Sequence, residues 1–411
     1  MTATALQQEE HLPETIICKW CGKSFHHLKS HISMGRCENI PETAKGLDID
    51  EVVKMYTTEF PDEPTISRTA LAKLKEKRAE KHSGEGKIAE ISSHPGYAGT
   101  VEYKTELVAA HELLGVTLKE LGTPRGKPLQ VTVNVNTPYP EFVPEAKEGY
   151  VYGDFDLIKD IFMMLEIGIP GYLWGHAGTG KSSLPTQLCA LLNRPLIRAQ
   201  HTASMEEAHV TGQILAREGS TYFEPGLLAL AMKNGWVYLA DEYDFAFPQI
   251  LGVYQPVLEG EPLIIKEATP DWRRITPHER FAFIGTGNTN GSGDETGLYQ
   301  GTNIQNAANF SRFGIVSNVQ YMSTAAEVNM LVKAGIIREY AEKMVKFANL
   351  VREGYEQHLI SQPIGPRELL LSARIGMMRG DFAAGIEKAF INKLPSTSAQ
   401  AAREVVQKIF G

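Results

Sequence analysis

The chain has 411 residues and a formal net charge of −8, and 43% of its residues are hydrophobic. This length is too great for one compact core, so we expect two or three domains of ordinary globular composition. The negative charge argues against a protein that coats nucleic acid with its whole surface, and no apolar run is long enough to span a bilayer. Four cysteines do not suggest a disulfide framework.

The N-terminal residues are polar and acidic and do not have the apolar stretch of a secretory signal. We therefore expect a cytoplasmic protein, and we expect residues 1–14 to be disordered.

Residues 15–80 begin with a cluster of cysteines and histidines that is typical of a zinc finger. The predicted zinc ligands are Cys18, Cys21, His31 and Cys37. His26 and His27 are alternative ligands, and His27 shares a helical face with His31. We expect Phe25, Leu28 and Ile32 to form the small apolar core that such a finger needs.

The short spacing between Cys21 and His31 resembles that of Ros/MucR-type zinc fingers, as do the helix and tail at residues 47–77. Cys37 departs from that family, which usually has a histidine there, but zinc accepts either ligand. The resemblance implies DNA binding, and the basic residues between 73 and 81 could contact phosphates. They could equally form the solvated face of a helix, because acids lie between them, so the finger is also compatible with a protein-docking module.

Residues 81–148 are predicted to be a linker followed by a small α+β region without recognisable chemistry. The linker is at residues 82–87, where Ser and Gly are frequent. We expect a helix near residues 106–121 and an alternating strand at residues 130–136. Residues 136–150 are rich in Pro and Glu and indicate a second connector.

A phosphate-binding loop pattern, Gly175-x-x-x-x-Gly180-Lys181-Ser182, follows a predicted strand at residues 167–174 and precedes a predicted helix at residues 181–192. Backbone amides of the loop would surround phosphates, Lys181 would contact the β- and γ-phosphates, and the Ser182 hydroxyl would ligate Mg²⁺. We expect Pro185 to distort the helix locally. The predicted nucleotide-binding residues are Gly175, His176, Ala177, Gly178, Thr179, Gly180, Lys181, Ser182, Ser183, Asp241 and Arg367.

Polar residues end two later apolar runs, which are predicted to be buried strands. Asp241 and Glu242 follow the first run, and Asn288 follows the second. Because such strand ends meet beside the phosphate loop, we expect Asp241 to hold Mg²⁺ and Glu242 to orient or activate the attacking water. Asn288 is predicted to be a sensor that contacts the γ-phosphate or that water.

Arg312 completes the predicted catalytic set, which also contains Lys181, Glu242 and Asn288. Arg312 lies where ring-forming ATPases carry an arginine finger, which reaches the nucleotide of the neighbouring subunit. Arg367 opens a helix in residues 323–411 and resembles a second sensor on a helical lid. Together these signals resemble an AAA+ ATPase: an α/β core at residues 149–322, with a parallel sheet flanked by helices, and a C-terminal helical lid.

Within that class, residues 241–244, 255–259, 287–302 and 310–316 resemble the AAA+ subunit of aerobic cobaltochelatase (CobS-like), in the MoxR-related branch. The resemblance implies a hexameric ring powered by ATP and Mg²⁺. It also implies a von Willebrand-type, CobT-like partner and a large third subunit that holds a corrin, and this chain would bind neither cobalt nor corrin.

Two antiparallel hairpins are predicted within the ATPase region. Residues 211–223 form one, with a Glu-Gly turn, and they correspond to the insertion into the second helix that the MoxR-related branch implies. Residues 262–275 form the other and precede the strand that ends at Asn288.

Three functions are compatible with these features. The first is the ATPase motor of a cobaltochelatase-like complex, and the second is a MoxR-like remodelling ATPase whose protein or nucleoprotein target is recruited through the finger. The third is a DNA-binding regulator in which the ATPase is only a switch. A complete hydrolytic set argues against the third, because a pure binding protein does not need Glu242 and Arg312.

Overall fold

The computed structural model describes residues 13–33, 37–44, 49–61, 63–70, 102–217 and 220–411. They form two compact units, with residues 13–70 in the first unit and residues 102–411 in the second. Most of the N-terminus that is predicted to be disordered, the basic residues at 73–81 and the predicted linker at 82–87 lie outside the described residues.

The first unit is small and has its own apolar core. Its elements are β1 (Ile16–Ile17), β2 (Ser24–Phe25), α1 (Leu28–Ser33) and α2 (Ile49–Glu59). The two strands are antiparallel. Phe25, Leu28 and Ile32 are buried beside Tyr56, which comes from α2. The expectation that these three residues form a small core is therefore confirmed.

The second unit begins with an antiparallel strand pair that includes a segment predicted to be helical. Its first elements are β3 (Thr105–Ala109), α3 (Ala110–Leu114) and β4 (Gln130–Asn134). The predicted helix near residues 106–121 was wrong over its first part, because that segment pairs with β4, and such tertiary pairing outweighs local propensity. The strand predicted at residues 130–136 is confirmed.

The central part of the second unit alternates strands and helices. In chain order, its elements are α4 (Phe155–Ile167), β5 (Gly171–Trp174), α5 (Ser183–Leu191), β6 (Leu196–Gln200), α6 (Glu207–Thr211), β7 (Gly212–Arg217), β8 (Ser220–Pro225), α7 (Leu227–Asn234), β9 (Val237–Asp241), α8 (Pro248–Leu251), α9 (Gln255–Leu258), β10 (Leu263–Ile264), α10 (Pro270–Arg273), β11 (Arg274–Ile275), β12 (Ala282–Gly287), α11 (Ala307–Phe310) and β13 (Ile315–Asn318).

A parallel sheet with the strand order β13-β5-β12-β9-β6 forms the centre of this unit. Helices cover both faces, so the strands are apolar on both sides. In β9, Tyr238 and Ala240 belong to one core, whereas Val237 and Leu239 belong to the core on the opposite face. All five strands end at the same edge, and this edge therefore collects the loops in which a ligand site is expected.

Two small antiparallel strand pairs are separate from the central sheet and lie where the sequence predicts hairpins. Strands β7 and β8 pair over their whole length, and the turn between them, residues 218–219, lies outside the described residues. Strands β10 and β11 pair through two residues each and are separated by the short helix α10.

The C-terminal part of the second unit is helical, and we call residues 324–410 the helical lid. Its helices are α12 (Thr324–Lys333), α13 (Arg338–Glu356), α14 (Pro366–Arg379), α15 (Phe382–Ala389) and α16 (Ser396–Phe410). Met344, Phe347, Leu369 and Phe390 are fully buried in a core of its own. Across the part of the chain described, no helix combines the length and apolarity that crossing a membrane requires.

A buried ion pair joins two helices of the lid. Arg352 of α13 donates two hydrogen bonds to the carboxylate of Glu327 in α12, at 2.8 and 2.7 Å, and the Glu327 side chain is fully buried. The same guanidinium lies 4.0 Å from the centre of the Tyr321 ring and donates to the Ile364 carbonyl. The pair therefore connects α12 and α13 to the segment before α14, which contains Ile364, and to Tyr321, which precedes the lid.

We expect Glu327→Ala to lower the free energy of unfolding by about 3–5 kcal/mol, because it leaves the Arg352 charge buried without its partner. Urea denaturation monitored by circular dichroism measures this loss. The control is Glu342→Ala, which removes an exposed contact of 3.9 Å to Arg338 and should change stability by about 0.5 kcal/mol or less. Equal stability of the two variants would contradict the prediction.

Candidate functional site

The phosphate loop connects β5 to α5 and has a backbone that only glycine adopts without strain. Gly178 and Gly180 have φ angles of +81° and +105°, a region that disfavours side chains. The loop therefore turns tightly and reaches the N-terminus of α5, a geometry suited to phosphate. Helix α5 begins at Ser183, so Pro185 lies in the first turn, where backbone amides have no partner within the helix. The expectation of a distortion at Pro185 assumed a helix that begins earlier, and the later start removes its cause.

Lys181 folds back over the phosphate loop. Its ammonium donates to the carbonyls of Gly175 and His176 at 2.6 and 2.8 Å, and to Asn288 Oδ1 at 3.1 Å. Burial lowers the pKa of Lys181 to about 8, although the nearby charges of Asp244, Asp241 and Glu242 oppose the shift. The structure thus brings the predicted lysine and the predicted sensor Asn288 into direct contact.

The carboxylate of Asp241 is the centre of a polar cluster at the end of β9. Its Oδ1 atom accepts hydrogen bonds of 2.5 Å from Ser182 Oγ and from Thr286 Oγ1. Its Oδ2 atom accepts a bond of 2.6 Å from Arg198 Nε. Burial alone would raise the pKa of Asp241, but these hydrogen bonds and the Arg198 charge hold it below its ordinary value.

The donor set at this point fits a magnesium ion. Ser182 contributes a hydroxyl and Asp241 an ionised carboxylate, and their oxygens are 2.5 Å apart. Mg²⁺ prefers such hard oxygen ligands and usually takes one or two carboxylates from the protein, completing its shell with water and phosphate oxygens. The residues predicted to hold Mg²⁺ therefore lie together and have suitable chemistry.

Glu242 follows Asp241 in a left-handed backbone conformation, with φ of 53°. This conformation is strained for a residue other than glycine, and such strain is concentrated at functional sites. The Glu242 amide donates to Thr286 Oγ1 at 3.2 Å, and its carboxylate accepts from Gln200 Nε2 at 2.5 Å. The Glu242 side chain is therefore held by β6, and its backbone is held by β12.

The loop that begins at Asn288 is fixed by the buried carboxylate of Asp244. Asp244 Oδ2 accepts from the amides of Asn288 and Thr289 at 2.8 and 2.9 Å and from Thr289 Oγ1 at 3.0 Å. Burial raises the pKa of Asp244, and the three hydrogen bonds counteract part of that shift. Asp244 therefore positions the side chain that contacts Lys181.

The predicted second sensor, Arg367, lies where the helical lid meets the phosphate loop. A side chain at Gly178 would come within 3.5 Å of Arg367 Cβ, and one at Gly365 would come within 2.7 Å of the Ala177 carbonyl oxygen. The N-terminus of α14 therefore packs closely against the loop, as a sensor on a lid requires.

Arg312 lies after α11 and is engaged elsewhere within the chain. Its Nε donates to Glu259 Oε1 at 2.8 Å, and its Nη1 donates to the Ala308 carbonyl at 2.5 Å. Within the ranges that the structure describes, no hydrogen bond joins Arg312 to the phosphate loop. Arg312 thus stays apart from the residues gathered around Lys181 and Asp241.

The four predicted zinc ligands converge in the first unit. The ligand atoms of Cys18, Cys21, His31 and Cys37 all lie within 4.8 Å of one another. Cys18 and Cys37 have sulfur atoms 3.8 Å apart, and a tetrahedral ion with zinc–sulfur bonds of about 2.3 Å requires a similar separation. The arrangement fits a small structural zinc site.

The alternative ligands have other partners. His26 Nδ1 bonds Ser67 Oγ at 3.0 Å, and His27 Nδ1 accepts from the Ser30 amide at 3.3 Å. Neither histidine belongs to the cluster of ligand atoms.

We expect the purified chain to contain one zinc ion, because three thiolates and an imidazole form a complete tetrahedral ligand set. Cys37→Ser should lose most of this zinc. Plasma emission spectrometry after gel filtration measures the metal content. The matched control is Cys189→Ser, which changes a buried cysteine of α5 outside the cluster and should keep the zinc. A wild-type chain that contains no zinc would contradict the prediction.

Several residues of the nucleotide site were missed by the sequence analysis. They are Arg198, Gln200, Asp244, Thr286 and Tyr299. Arg198 and Gln200 lie on β6, whose carboxyl end is at the same sheet edge. Gln200 is a polar residue at the end of a strand, and the same signal identified Asp241 and Asn288.

Comparisons with known proteins indicate the family of this chain. Residues 172–302 match the family model of an AAA domain of the dynein-related subfamily. The chain is 32% identical over 249 residues to the aerobic cobaltochelatase subunit CobS of a Sinorhizobium species, and the alignment covers 58% of this chain and 74% of that protein. It is 23% identical to an uncharacterized protein of Staphylococcus aureus, covering 62% of this chain and 96% of that protein.

A solved structure, the Holliday junction branch migration motor RuvB of Thermotoga maritima, is 13% identical with a TM-score of 0.37. The superposition covers 65% of this chain and 72% of that chain. The family match, the parallel sheet and the phosphate loop define an AAA+ ATPase, an enzyme that hydrolyses ATP. More narrowly, the chain belongs to the family of the cobaltochelatase subunit CobS.

Proposed function

We propose that this chain is the ATP-hydrolysing motor subunit of a cobaltochelatase-like complex. In this proposal it forms a ring, as a hexamer in the MoxR-related branch, and acts in the cytoplasm. Turnover of MgATP drives a von Willebrand-type, CobT-like partner, which remodels a large chelatase subunit so that metal enters its macrocycle. The similarity to CobS supports the metal-insertion function.

The proposed roles follow from the contacts at the sheet edge. Amides within residues 175–183 other than that of Ala177, which donates to Tyr299, hold the phosphates, with Lys181 on the β- and γ-phosphates. Ser182 and Asp241 hold magnesium, which, when bound, neutralises charge on the phosphate oxygens. Glu242 accepts a proton from the attacking water or orients it, and Asn288 orients the γ-phosphate from its place beside Lys181.

One observation carries the proposal of a ring. Arg312 is held by Glu259, away from the phosphate loop of its own chain. Each site would therefore need the arginine of a neighbouring subunit to stabilise the charge that develops in the transition state. Arg367 would act within its own chain, because α14 packs against the loop.

Reconstitution tests the chelatase proposal. The full chain is mixed with a von Willebrand-type partner, a large chelatase subunit, a corrin without metal, cobalt and ATP, and cobalt insertion is measured from the absorption spectrum of the corrin. Insertion should require ATP, and Lys181→Ala, which removes the phosphate-binding ammonium, should abolish it. An active ATPase that supports no insertion with any such partner set would exclude this function.

The zinc-ligand cluster favours a second candidate, a MoxR-like remodelling ATPase that recruits its target through the first unit. That unit is compact on its own, and we propose a zinc finger there, of Ros/MucR type. Two of its basic residues are already paired with acids, Lys19 with Glu63 and Lys23 with Glu38, which favours a protein target over DNA. Filter binding of the full chain to DNA at increasing salt discriminates the targets, because phosphate contacts produce a steep loss of affinity.

A further inference from the structure

The segment between β12 and α11 returns to the phosphate loop through an ordered turn. Asp294 organises this turn: its Oδ1 accepts from the Thr296 amide and hydroxyl at 3.0 and 2.9 Å, and its Oδ2 accepts from the Tyr299 amide at 2.8 Å. A carboxylate that accepts three local hydrogen bonds holds a turn in one conformation. Asp294 therefore holds the backbone from which the Tyr299 side chain extends.

The Tyr299 hydroxyl contacts the phosphate loop at two consecutive residues. It accepts a hydrogen bond of 3.1 Å from the Ala177 amide and lies 2.9 Å from His176 Nδ1. Ala177 precedes Gly178, where the loop takes its left-handed turn. The hydroxyl thus holds the loop backbone just before the conformation that presents amides to phosphate.

Other contacts hold this part of the loop at neighbouring atoms: Lys181 donates to the carbonyls of Gly175 and His176, and α14 packs beside the Ala177 carbonyl. A cavity of about 210 Å³ lies between the phosphate loop and the segment that carries Tyr299, and both line it. His176 is stacked on Tyr321, with ring centres 5.8 Å apart and an interplanar angle of 1°, but this contact holds its ring rather than the Ala177 backbone. Tyr299 lines this cavity, and its hydroxyl contacts the Ala177 backbone directly.

We propose that Tyr299 is a positioning residue for nucleotide binding: its hydroxyl, aimed by Asp294, holds the phosphate loop at Ala177 in its binding conformation. This inference rests on the proposed nucleotide site. Without the hydroxyl, only a fraction of the unbound molecules would have the loop in its binding conformation. The apparent affinity for nucleotide would fall in proportion to that fraction. Chemistry on bound ATP is unaffected, because Tyr299 contacts the loop and not the catalytic residues.

The test compares Tyr299→Phe with wild type, using a fluorescent ATP analogue to measure Kd and steady-state hydrolysis to measure KM and kcat. We expect Kd and KM to rise about tenfold, which corresponds to about 1.4 kcal/mol, with kcat changed less than about twofold. The unfolding temperature without nucleotide should stay the same, which separates positioning from a general loss of stability. Unchanged or tighter binding by Tyr299→Phe would overturn the inference.

Three further variants extend the test. Asp294→Ala should raise Kd by a similar factor, and the double variant should be no worse than Tyr299→Phe, because both changes remove one arrangement. Additive losses would overturn the role given to Asp294. Tyr222→Phe removes a hydroxyl from the exposed face of β8 and should bind as wild type does. If the wild-type chain binds no ATP analogue, the proposed nucleotide site is wrong. If the wild-type chain and Tyr299→Phe bind the analogue equally well, only the role of Tyr299 is wrong.

Discussion

Arg312→Ala is expected to lower kcat for ATP hydrolysis by roughly 10³- to 10⁵-fold, the range that arginine fingers contribute. ATP affinity should change little, because Arg312 contacts Glu259 and Ala308 rather than the phosphate loop of its own chain. Steady-state hydrolysis and equilibrium binding of a fluorescent ATP analogue measure the two quantities. Arg338→Ala is the control, since this arginine is largely exposed and, among the described residues, its ion pair is a long contact to Glu342.

A mixing experiment decides whether Arg312 acts between subunits. Arg312→Ala subunits have an intact Glu242, and Glu242→Gln subunits have an intact Arg312. Where the two adjoin in a ring, one site recovers both groups, so the mixture should hydrolyse ATP although each variant alone is inactive. A mixture as inactive as its components, or loss of ATP binding in Arg312→Ala alone, would contradict a role in the neighbouring site.

Glu242→Gln is expected to reduce kcat by about 10²- to 10⁴-fold, the usual contribution of a positioned general base. The amide has a similar shape but does not accept a proton from water. Because Asp241, Ser182 and Lys181 keep their contacts, MgATP binding should be retained. Rapid-quench measurement of a single turnover reports the chemical step directly.

The contrast with Lys181→Ala makes this assignment specific. Lys181→Ala should lose binding as well as turnover, since its ammonium lies against the phosphate loop and would contact the β- and γ-phosphates. Glu242→Gln should bind ATP and trap it, so the complex remains stable on gel filtration. Turnover at the wild-type rate in Glu242→Gln would show that another group activates the water.

The nucleotide-site residues that the sequence identified share a simple property: each lies inside a local motif or at the end of an apolar run. Lys181 belongs to a contiguous loop pattern, and Asp241 and Asn288 end buried strands. Parallel strands place their carboxyl ends at one edge, so their proximity could be inferred without knowing the strand order. The structure brings all three together.

The errors came from interactions that local patterns do not contain. The segment predicted as a helix near residues 106–121 begins with β3, because its partner β4 lies about twenty residues later. Pro185 was expected to distort a helix, but the start of α5 at Ser183 places it in the first turn.

The sequence alone determined the kinds of chemistry that this protein carries: a phosphate loop, a pair of acids after a strand and a cluster of zinc-type ligands. Each of these features consists of particular residue types at short spacings in the sequence. Once the local backbone has formed, residues at such spacings have side chains that lie close together in space. The partners of those groups were decided only by the tertiary structure. Arg198 reaches Asp241, Glu259 reaches Arg312 and Tyr299 reaches Ala177. These contacts join residues far apart in the chain, so they depend on strand order and loop paths, which local spacing does not specify.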